Sequence, residues 1–173
     1  MRAPFGFACL ILAASAVLAS PAEAQLDSVR LGVMDHNIRV LDGKNADKES
    51  GVNVNAEARF DSPGFLRWAG SPHPYAMASV NTDGDTSFAG VGLSWDWRFA
   101  DRWRLEPGFG YVVHDGDNES PFPQGSQASF DYSQRRVFLG STDLFRSSLA
   151  LTYDLYPRWG AQLLYEHLSH GQI

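Results

Sequence analysis

Apolar and polar residues alternate along several stretches of about ten residues each, a period that is typical of β-strands. In the clearest stretch, apolar residues fill the odd positions and small or polar residues fill the even ones. The odd set is Ala89, Val91, Leu93, Trp95, Trp97 and Phe99, and the even set is Gly90, Gly92, Ser94, Asp96 and Arg98. Similar alternation recurs near 52–60, 103–113 and 149–155, and more faintly near 29–33 and 75–80. The pattern predicts strands with one apolar and one polar face.

The links between these strands differ in length on the two rims of the predicted sheet. Ala100-Asp101 and Tyr156-Pro157 are tight turns on one rim, whereas LDGKNADKES and DGDNESPFPQGSQASFDYSQ are long polar links on the other. Two links fit less well, because NTDGDT on the long-link rim is compact and SPGFLRWAGSPHP on the short-turn rim is long. Short turns on one rim, long loops on the other and aromatic residues near strand ends are typical of outer-membrane barrels. We therefore predict an all-β fold, an antiparallel outer-membrane β-barrel of the eight-stranded type.

Seven strands can be placed along the chain, and their approximate ranges are 28–38, 50–60, 74–81, 86–99, 102–114, 136–155 and 158–170. A closed bacterial barrel of one chain has an even number of strands, at least eight, because an open sheet edge cannot face lipid. We therefore expect that the last strand is missing from this sequence or is borrowed. A homodimer is one way in which it would be borrowed.

The beginning of the chain has the layout of a cleaved export signal. Arg2 is followed by an apolar run from about Phe7 to Leu18 and by the small-residue site Ala22-Glu23-Ala24. We predict a signal peptide at 1–24 and one β-barrel domain at 25–173. The only cysteine, Cys9, lies in the signal, so the mature chain is expected to have no thiol, disulfide or cysteine metal site.

The charged residues argue against one class of partner and indicate how the predicted interior is filled. The formal net charge is −6, which argues against nucleic acid as a partner, since nucleic-acid binding relies on basic residues. Four arginines fall on inward faces near three carboxylates; the set is Arg30, Arg59, Arg98, Arg104, Glu57, Asp96 and Glu106. We expect these to pair across a packed polar interior rather than to line a pore. The sequence predicts no cofactor and no metal.

A histidine and a serine stand two positions apart in the last predicted strand, within YEHLSHGQI. The odd positions of this strand are mostly apolar, so His167 and Ser169 are expected on the lipid-facing side, where polar residues are unusual. Because the strand runs away from the Tyr156-Pro157 turn, His167 is expected near the outer leaflet. A histidine beside a hydroxyl can activate that hydroxyl against an ester. The spacing alone is common in proteins, because catalytic groups are recognised by geometry.

Two longer stretches carry a family resemblance. ASVNTDGDTSFAGVGLSWDWRF and LFRSSLALTYDLYPRWGAQLLYEHLSH, together with the export signal, resemble the lipid A 3-O-deacylase (PagL) family of outer-membrane barrels. The resemblance covers most of the mature chain, and its most specific element is the step from His167 to Ser169. It implies an ester hydrolase with Ser169 as nucleophile and His167 as general base. The implied substrate is lipid A of lipopolysaccharide in the outer leaflet, which would lose its 3-linked acyl chain.

Two positions depart from that family's pattern. Family members commonly carry an asparagine after the serine, where it helps to hold the oxyanion; this chain has His170 there, which makes His170 the oxyanion candidate. The family's third member is a glutamate more than ten residues further on, past Ile173. Within the chain, Glu166 is expected on the opposite face, and Asp143, diagonal to Ser169 on the neighbouring strand, is either a substitute acid or a solvated residue near the rim. The alternative to an enzyme is a non-catalytic small outer-membrane barrel, as a scaffold or a decayed or truncated homologue.

Overall fold

The computed structural model describes residues 25–35 and 48–170. The predicted export signal with Cys9, and the end of the first predicted strand, lie outside these residues. The described residues form a single antiparallel sheet that curls like part of a barrel wall. This confirms the predicted all-β class.

The sheet contains eight strands that occupy seven positions across its width. The strands are β1 (Leu26–Met34), β2 (Asn53–Phe60), β3 (His73–Asn81), β4 (Phe88–Ser94), β5 (Trp97–Ala100), β6 (Trp103–His114), β7 (Asp143–Tyr156) and β8 (Trp159–Ser169). β4 and β5 both pair with β6, at different heights. They are therefore one predicted strand that is interrupted at Trp95-Asp96.

The two faces of the sheet reverse the distribution of side chains found in water-soluble proteins, where apolar side chains are buried and polar ones are exposed. In β2 the inward residues Asn53, Asn55, Glu57 and Arg59 are all at most 7% exposed. In β1 the outward residues are apolar and open, and Leu31 is 79% exposed. Buried polar rows behind exposed apolar rows are the alternation of a barrel wall with a polar interior.

A small apolar cluster completes the inward face. It contains Tyr75, Met77, Val112 and Leu144, with Phe88, Leu139 and Leu168 packed against it. Glycines make room for its aromatic ring, because a Cβ at Gly110 would lie 2.2 Å from the Tyr75 hydroxyl oxygen. Side chains thus fill this part of the inward face.

Two short helices lie in the links. One is a 3-10 helix at Gly64–Ala69, in the long link between β2 and β3. The other is α1, at Gln127–Ser133, where the Oγ of Ser126 accepts a hydrogen bond from the Ser129 amide at 3.1 Å. The sequence pattern had predicted only a loop for α1. No helix in the part of the chain that the structure describes is long and apolar enough to cross a membrane.

The strand predicted at 136–155 begins only at Asp143, so its first seven residues were assigned wrongly. Arg136 hydrogen-bonds through its guanidinium group to Asp85 in the β3–β4 turn, and its Nε lies 3.8 Å from Asp117. The amide of Leu139 donates to the Asp117 carbonyl at 2.9 Å. These bonds hold the segment against the β3–β4 turn and against the beginning of the β6–β7 link, so it lies outside the sheet.

Candidate functional site

His167 and Ser169 lie on the same outward face of β8, as their spacing predicts. The register with β7 places Ser147 opposite His167 and Phe145 opposite Ser169. The His167 side chain is exposed and Ser169 is half-buried. Both therefore lie in the apolar outer surface of the sheet, toward the end of β8.

The two side chains are neighbours without being bonded. Within residues 25–35 and 48–170, no hydrogen bond joins the imidazole of His167 to the hydroxyl of Ser169. A general base must come within hydrogen-bond reach of its nucleophile, although such bonds are often long before substrate binds. The two residues therefore share one face of β8 without the hydrogen bond through which a proton would pass between them.

Asp143 lies on the same outward face, two residues from Phe145, and is therefore diagonal to Ser169 as predicted. Its carboxylate accepts a hydrogen bond from the Tyr111 hydroxyl and another from the Oγ of Ser141, at 3.1 Å. The carboxylate is held by these two neighbours and not by His167. As a substitute acid, Asp143 would have to exchange one of these partners for the imidazole.

The other two candidate groups point elsewhere. Glu166 faces inward, where its Oε2 accepts from the Nε of Arg146 at 2.6 Å. His170 follows the end of β8, and its ring lies beside Gly140 in the link before β7, with Cε1 3.6 Å from the position of an added Cβ. As an oxyanion donor, His170 would need to turn toward Ser169.

An aromatic patch beside the pair was not anticipated from the sequence. Tyr111, Phe145 and Ser169 lie side by side on three adjacent strands. The rings of Phe109 and Phe145 stack with centroids 5.7 Å apart, and Tyr111 meets Phe145 edge-on at the same centroid distance. The patch depends on the register of β6 against β7. The alternation of apolar and polar residues does not determine that register.

The predicted ion pairs of the interior are largely present. The nitrogen–oxygen distances are Arg30–Glu57 3.2 Å, Arg30–Glu106 2.5 Å, Arg59–Asp96 2.5 Å, Arg59–Glu106 3.2 Å and Arg104–Asp96 3.3 Å. Arg98 departs from the prediction, because its partner is Asp154 on β7, at 3.0 Å. Each buried charge therefore has a counter-charge nearby, as burial requires.

Three residues of types that can ligate a metal lie together at the strand ends, and the sequence pattern did not predict this group. Potential ligand atoms of Asp27, Asp61 and His73 all lie within 4.8 Å of one another. The Nδ1 of His73 lies 3.0 Å from the Phe60 carbonyl oxygen, and Asp27 already accepts from the Nε of Arg59 at 2.7 Å. That guanidinium neutralises one of the two carboxylates, which works against cation binding at this position.

The long link between β6 and β7 forms a packed cap on the rim where β8 ends. Tyr132 of α1 donates its hydroxyl hydrogen to Asp117 at 2.7 Å, and this bond raises the pKa of Tyr132. The Tyr132 ring also meets Phe122 edge-on at 5.6 Å. These contacts hold α1 against the first part of the same link.

Comparison with known proteins identifies no family for this chain. No protein-family model, no curated protein and no solved structure matches it. Function must therefore be inferred from the reversed faces of the sheet and from the groups that lie beside Ser169.

Proposed function

We propose that this chain forms the wall of a small outer-membrane barrel and hydrolyses an ester of lipid A, with Ser169 as nucleophile and His167 as general base. The observation that carries the proposal is that both groups lie on the apolar outward face of a sheet whose polar residues are buried. On that face, a nucleophile meets lipid rather than water. The resemblance of two sequence stretches to the lipid A 3-O-deacylases names the substrate.

Aromatic side chains support the membrane half of the proposal. Several lie open at the rim where β8 begins, among them Trp68 (85% exposed), Tyr156 (72%) and Trp159 (74%). Tryptophan and tyrosine are enriched where a membrane meets water. A contiguous apolar outer surface is also costly in water, by about 25 cal/mol per Å², and costs nothing in lipid.

The proposed reaction follows from the chemistry of the pair. His167 takes the proton of the Ser169 hydroxyl while Oγ attacks the carbonyl carbon of the ester at the 3-position of the sugar. The tetrahedral intermediate then expels the sugar oxygen, which takes the proton from His167. A water molecule, deprotonated by His167 in its turn, attacks the acyl carbon. The Oγ of Ser169 then leaves and takes that proton from His167, and the fatty acid is released.

The surroundings of Ser169 suggest how the substrate would lie. Phe145 and the neighbouring Phe109 offer an apolar surface along which an acyl chain would bury its methylene groups. His170 supplies a ring nitrogen for the oxyanion once it turns from Gly140. No carboxylate among the described residues is bonded to His167, so we propose that full activity needs an acid from outside them.

The direct test measures release of 3-hydroxy fatty acid from purified lipid A by the refolded protein, using mass spectrometry. Ser169→Ala and His167→Ala should each abolish the release, and the double variant should be no worse, because nucleophile and base act as a unit. Ser147→Ala is the matched control, since it removes a hydroxyl opposite His167 on the same face. Deacylation that persists in Ser169→Ala contradicts the proposal.

A non-catalytic barrel is the second candidate. It is favoured by the absence of a bond between His167 and Ser169 and by the engagement of Asp143 with Tyr111. For this candidate, the protein fractionates with outer membranes and shows heat-modifiable gel mobility, but neither releases fatty acid nor labels at Ser169 with a fluorophosphonate. Recovery as a soluble periplasmic protein would contradict both candidates.

A further inference from the structure

One face of α1 lines a small cavity in the cap. The lining residues are Phe122, Ala128, Asp131, Tyr132, Arg135 and Arg136. Ala128, Asp131 and Tyr132 lie on one side of the helix, because they are three and four positions apart. Arg135 follows the C-terminal end of the helix. The cavity has a volume of about 380 Å³, which is near the lower end of the range for small-molecule sites, about 300–1,000 Å³.

Contacts outside the cavity hold two of its walls in place. The Tyr132 ring stacks on Phe138 with centroids 6.0 Å apart, and its hydroxyl group donates to Asp117 at 2.7 Å. The guanidinium group of Arg136 is hydrogen-bonded to Asp85. The polar groups of these two side chains are thus engaged elsewhere, and Tyr132 presents ring surface to the cavity.

Phe122 adds a second aromatic ring to the apolar part of the cavity. It meets Tyr132 edge-on with centroids 5.6 Å apart, and it remains 43% exposed. The methyl group of Ala128 completes this apolar surface. Apolar surface that is open to water favours a ligand that can cover it with C–H groups.

Two charged groups in the cavity keep capacity for a ligand. The Oδ1 of Asp131 accepts a hydrogen bond from the Nε2 of Gln127 at 2.8 Å, and a carboxylate can accept further hydrogen bonds. The guanidinium group of Arg135 is exposed, and it has no hydrogen-bond or ion-pair partner among the described residues. Although Asp131 and Arg135 both lie in the described part of the chain, no ion pair joins them. The cavity therefore offers an acceptor and several donors that the protein leaves unused.

This mixture of groups favours a neutral ligand that carries hydroxyl groups. An anion would be repelled by Asp131, and a cation would be repelled by Arg135. A hydroxyl group can donate to the carboxylate and accept from the guanidinium group, and such charge-assisted hydrogen bonds are strong. A pyranose ring carries hydroxyl groups around its edge and C–H groups on its faces, so it would use both the charged and the aromatic parts of the cavity.

We propose that the cavity beside α1 is a carbohydrate site that binds a pyranose ring, with a C–H face against Phe122 and hydroxyl groups on Asp131 and Arg135. The cap lies on the rim where β8 ends, as Ser169 does. A sugar in the cavity and an ester at Ser169 therefore lie at the same rim of the sheet, and the sugar is the saccharide part of lipopolysaccharide. That identity rests on the proposed function, whereas the carbohydrate site itself does not.

Saturation-transfer NMR tests the site on the full chain refolded in detergent. The probe is the 1,6-linked disaccharide of N-acetylglucosamine, which is the sugar backbone of lipid A with acetyl groups in place of the amide-linked acyl chains. The ring protons of the sugar should receive saturation from the protein, and a titration gives the Kd. Because this probe carries no charge and no fatty chain, its binding reports contacts with the sugar rings.

Substitutions in the cavity should weaken binding of the disaccharide. Arg135→Ala and Asp131→Ala should each raise the Kd about tenfold, because a hydrogen bond to a charged group is worth about that factor in affinity. Phe122→Ala should raise it by a similar factor, and Phe122→Tyr, which keeps the ring, should not. Phe130→Ala is the matched control, because Phe130 is an exposed aromatic residue of α1 that does not line the cavity. Heat-modifiable mobility confirms that each variant is folded.

Parallel measurement of fatty-acid release separates this inference from the proposed hydrolysis. Ser169→Ala should bind the disaccharide as tightly as the parent protein does. Sugar binding by a protein that never releases fatty acid would contradict the hydrolysis alone, and release without sugar binding would contradict the carbohydrate site alone. Absence of binding by the folded protein, an equal loss in Phe130→Ala, or displacement of the sugar by inorganic phosphate would each overturn the inference.

Discussion

Arg146 in β7 and Glu166 in β8 form an ion pair of 2.6 Å on the inward face, directly behind the strand position of His167. The Arg146 side chain is only 1% exposed, and it also lies 3.7 Å from Glu57. Its guanidinium carbon sits 5.1 Å from the centroid of the Tyr75 ring. One buried cation therefore ties β8 to β7, β2 and β3.

Glu166→Ala should lower the free energy of unfolding by about 3–5 kcal/mol, because the buried guanidinium group of Arg146 then loses its nearest counter-charge. Urea denaturation of the detergent-refolded protein measures the loss. Glu119→Ala, at an exposed position in the long link after β6, should change stability by less than about 0.5 kcal/mol. The double variant Arg146→Met/Glu166→Leu should recover much of the stability, and a double variant as unstable as Glu166→Ala would refute this explanation.

Gly110→Ala should destabilise the protein by about 1–3 kcal/mol, the usual range for overpacking. The added Cβ would lie 2.2 Å from the Tyr75 hydroxyl oxygen and 2.8 Å from the Val91 carbonyl oxygen. Gly32→Ala in β1 is the matched control, since an added Cβ there meets no atom within 4 Å. Thermal unfolding of both variants provides the comparison, and equal losses would show that Tyr75 does not fill the space beside Gly110.

Alternation predicted the sheet because strands such as β2 have one polar and one apolar face. The same rule placed His167 and Ser169 together, since residues two apart in a strand share a face. It could not predict the partner of Arg98 or that of Asp143. Those partners, Asp154 and Tyr111, lie on other strands and depend on register, which alternation does not specify.

Contacts between loops and strand ends account for the remaining differences between the predictions from sequence and the structure. The segment before Asp143 carries apolar residues that resemble a strand, yet the bond between Arg136 and Asp85 holds it in the cap. These two residues are 51 positions apart, so no local pattern reveals their contact. Asp27, Asp61 and His73 likewise meet only because three strand ends share one rim.

Leu163→Arg tests whether the outward face meets lipid. Leu163 is 74% exposed, so in water the substitution should be almost neutral, whereas an arginine on a lipid-facing barrel surface costs about 2–4 kcal/mol near the membrane midplane. Phe130→Arg in α1, at an exposed loop position, should be tolerated. Refolding yield into lipid vesicles and unfolding in urea measure the difference, and a neutral Leu163→Arg would argue against a membrane.

Asp143→Asn should reduce release of fatty acid by less than about tenfold, because the carboxylate is bonded to Tyr111 and Ser141 rather than to His167. Impairing a genuine triad acid costs about 10⁴ in turnover in serine proteases. The measurement compares turnover of lipid A by Asp143→Asn and by the parent protein. A loss of about 10³ or more would instead identify Asp143 as the acid that serves His167.

An added strand, made with and without a glutamate, separates the effect of a catalytic acid from the effect of closing the sheet. Without a carboxylate beside His167, nothing fixes the tautomer of its imidazole or stabilises the imidazolium that forms, so the described residues alone should deacylate lipid A only feebly. We expect that fusing one further strand after Ile173, with a glutamate on its outward face level with His167, raises turnover by about 10⁴. The same strand with alanine in place of glutamate should restore heat-modifiable mobility and resistance to urea but not activity, because closure requires the backbone of the strand and not its carboxylate. Full activity without the added strand, or equal activity with glutamate and with alanine, would show that the acid lies elsewhere.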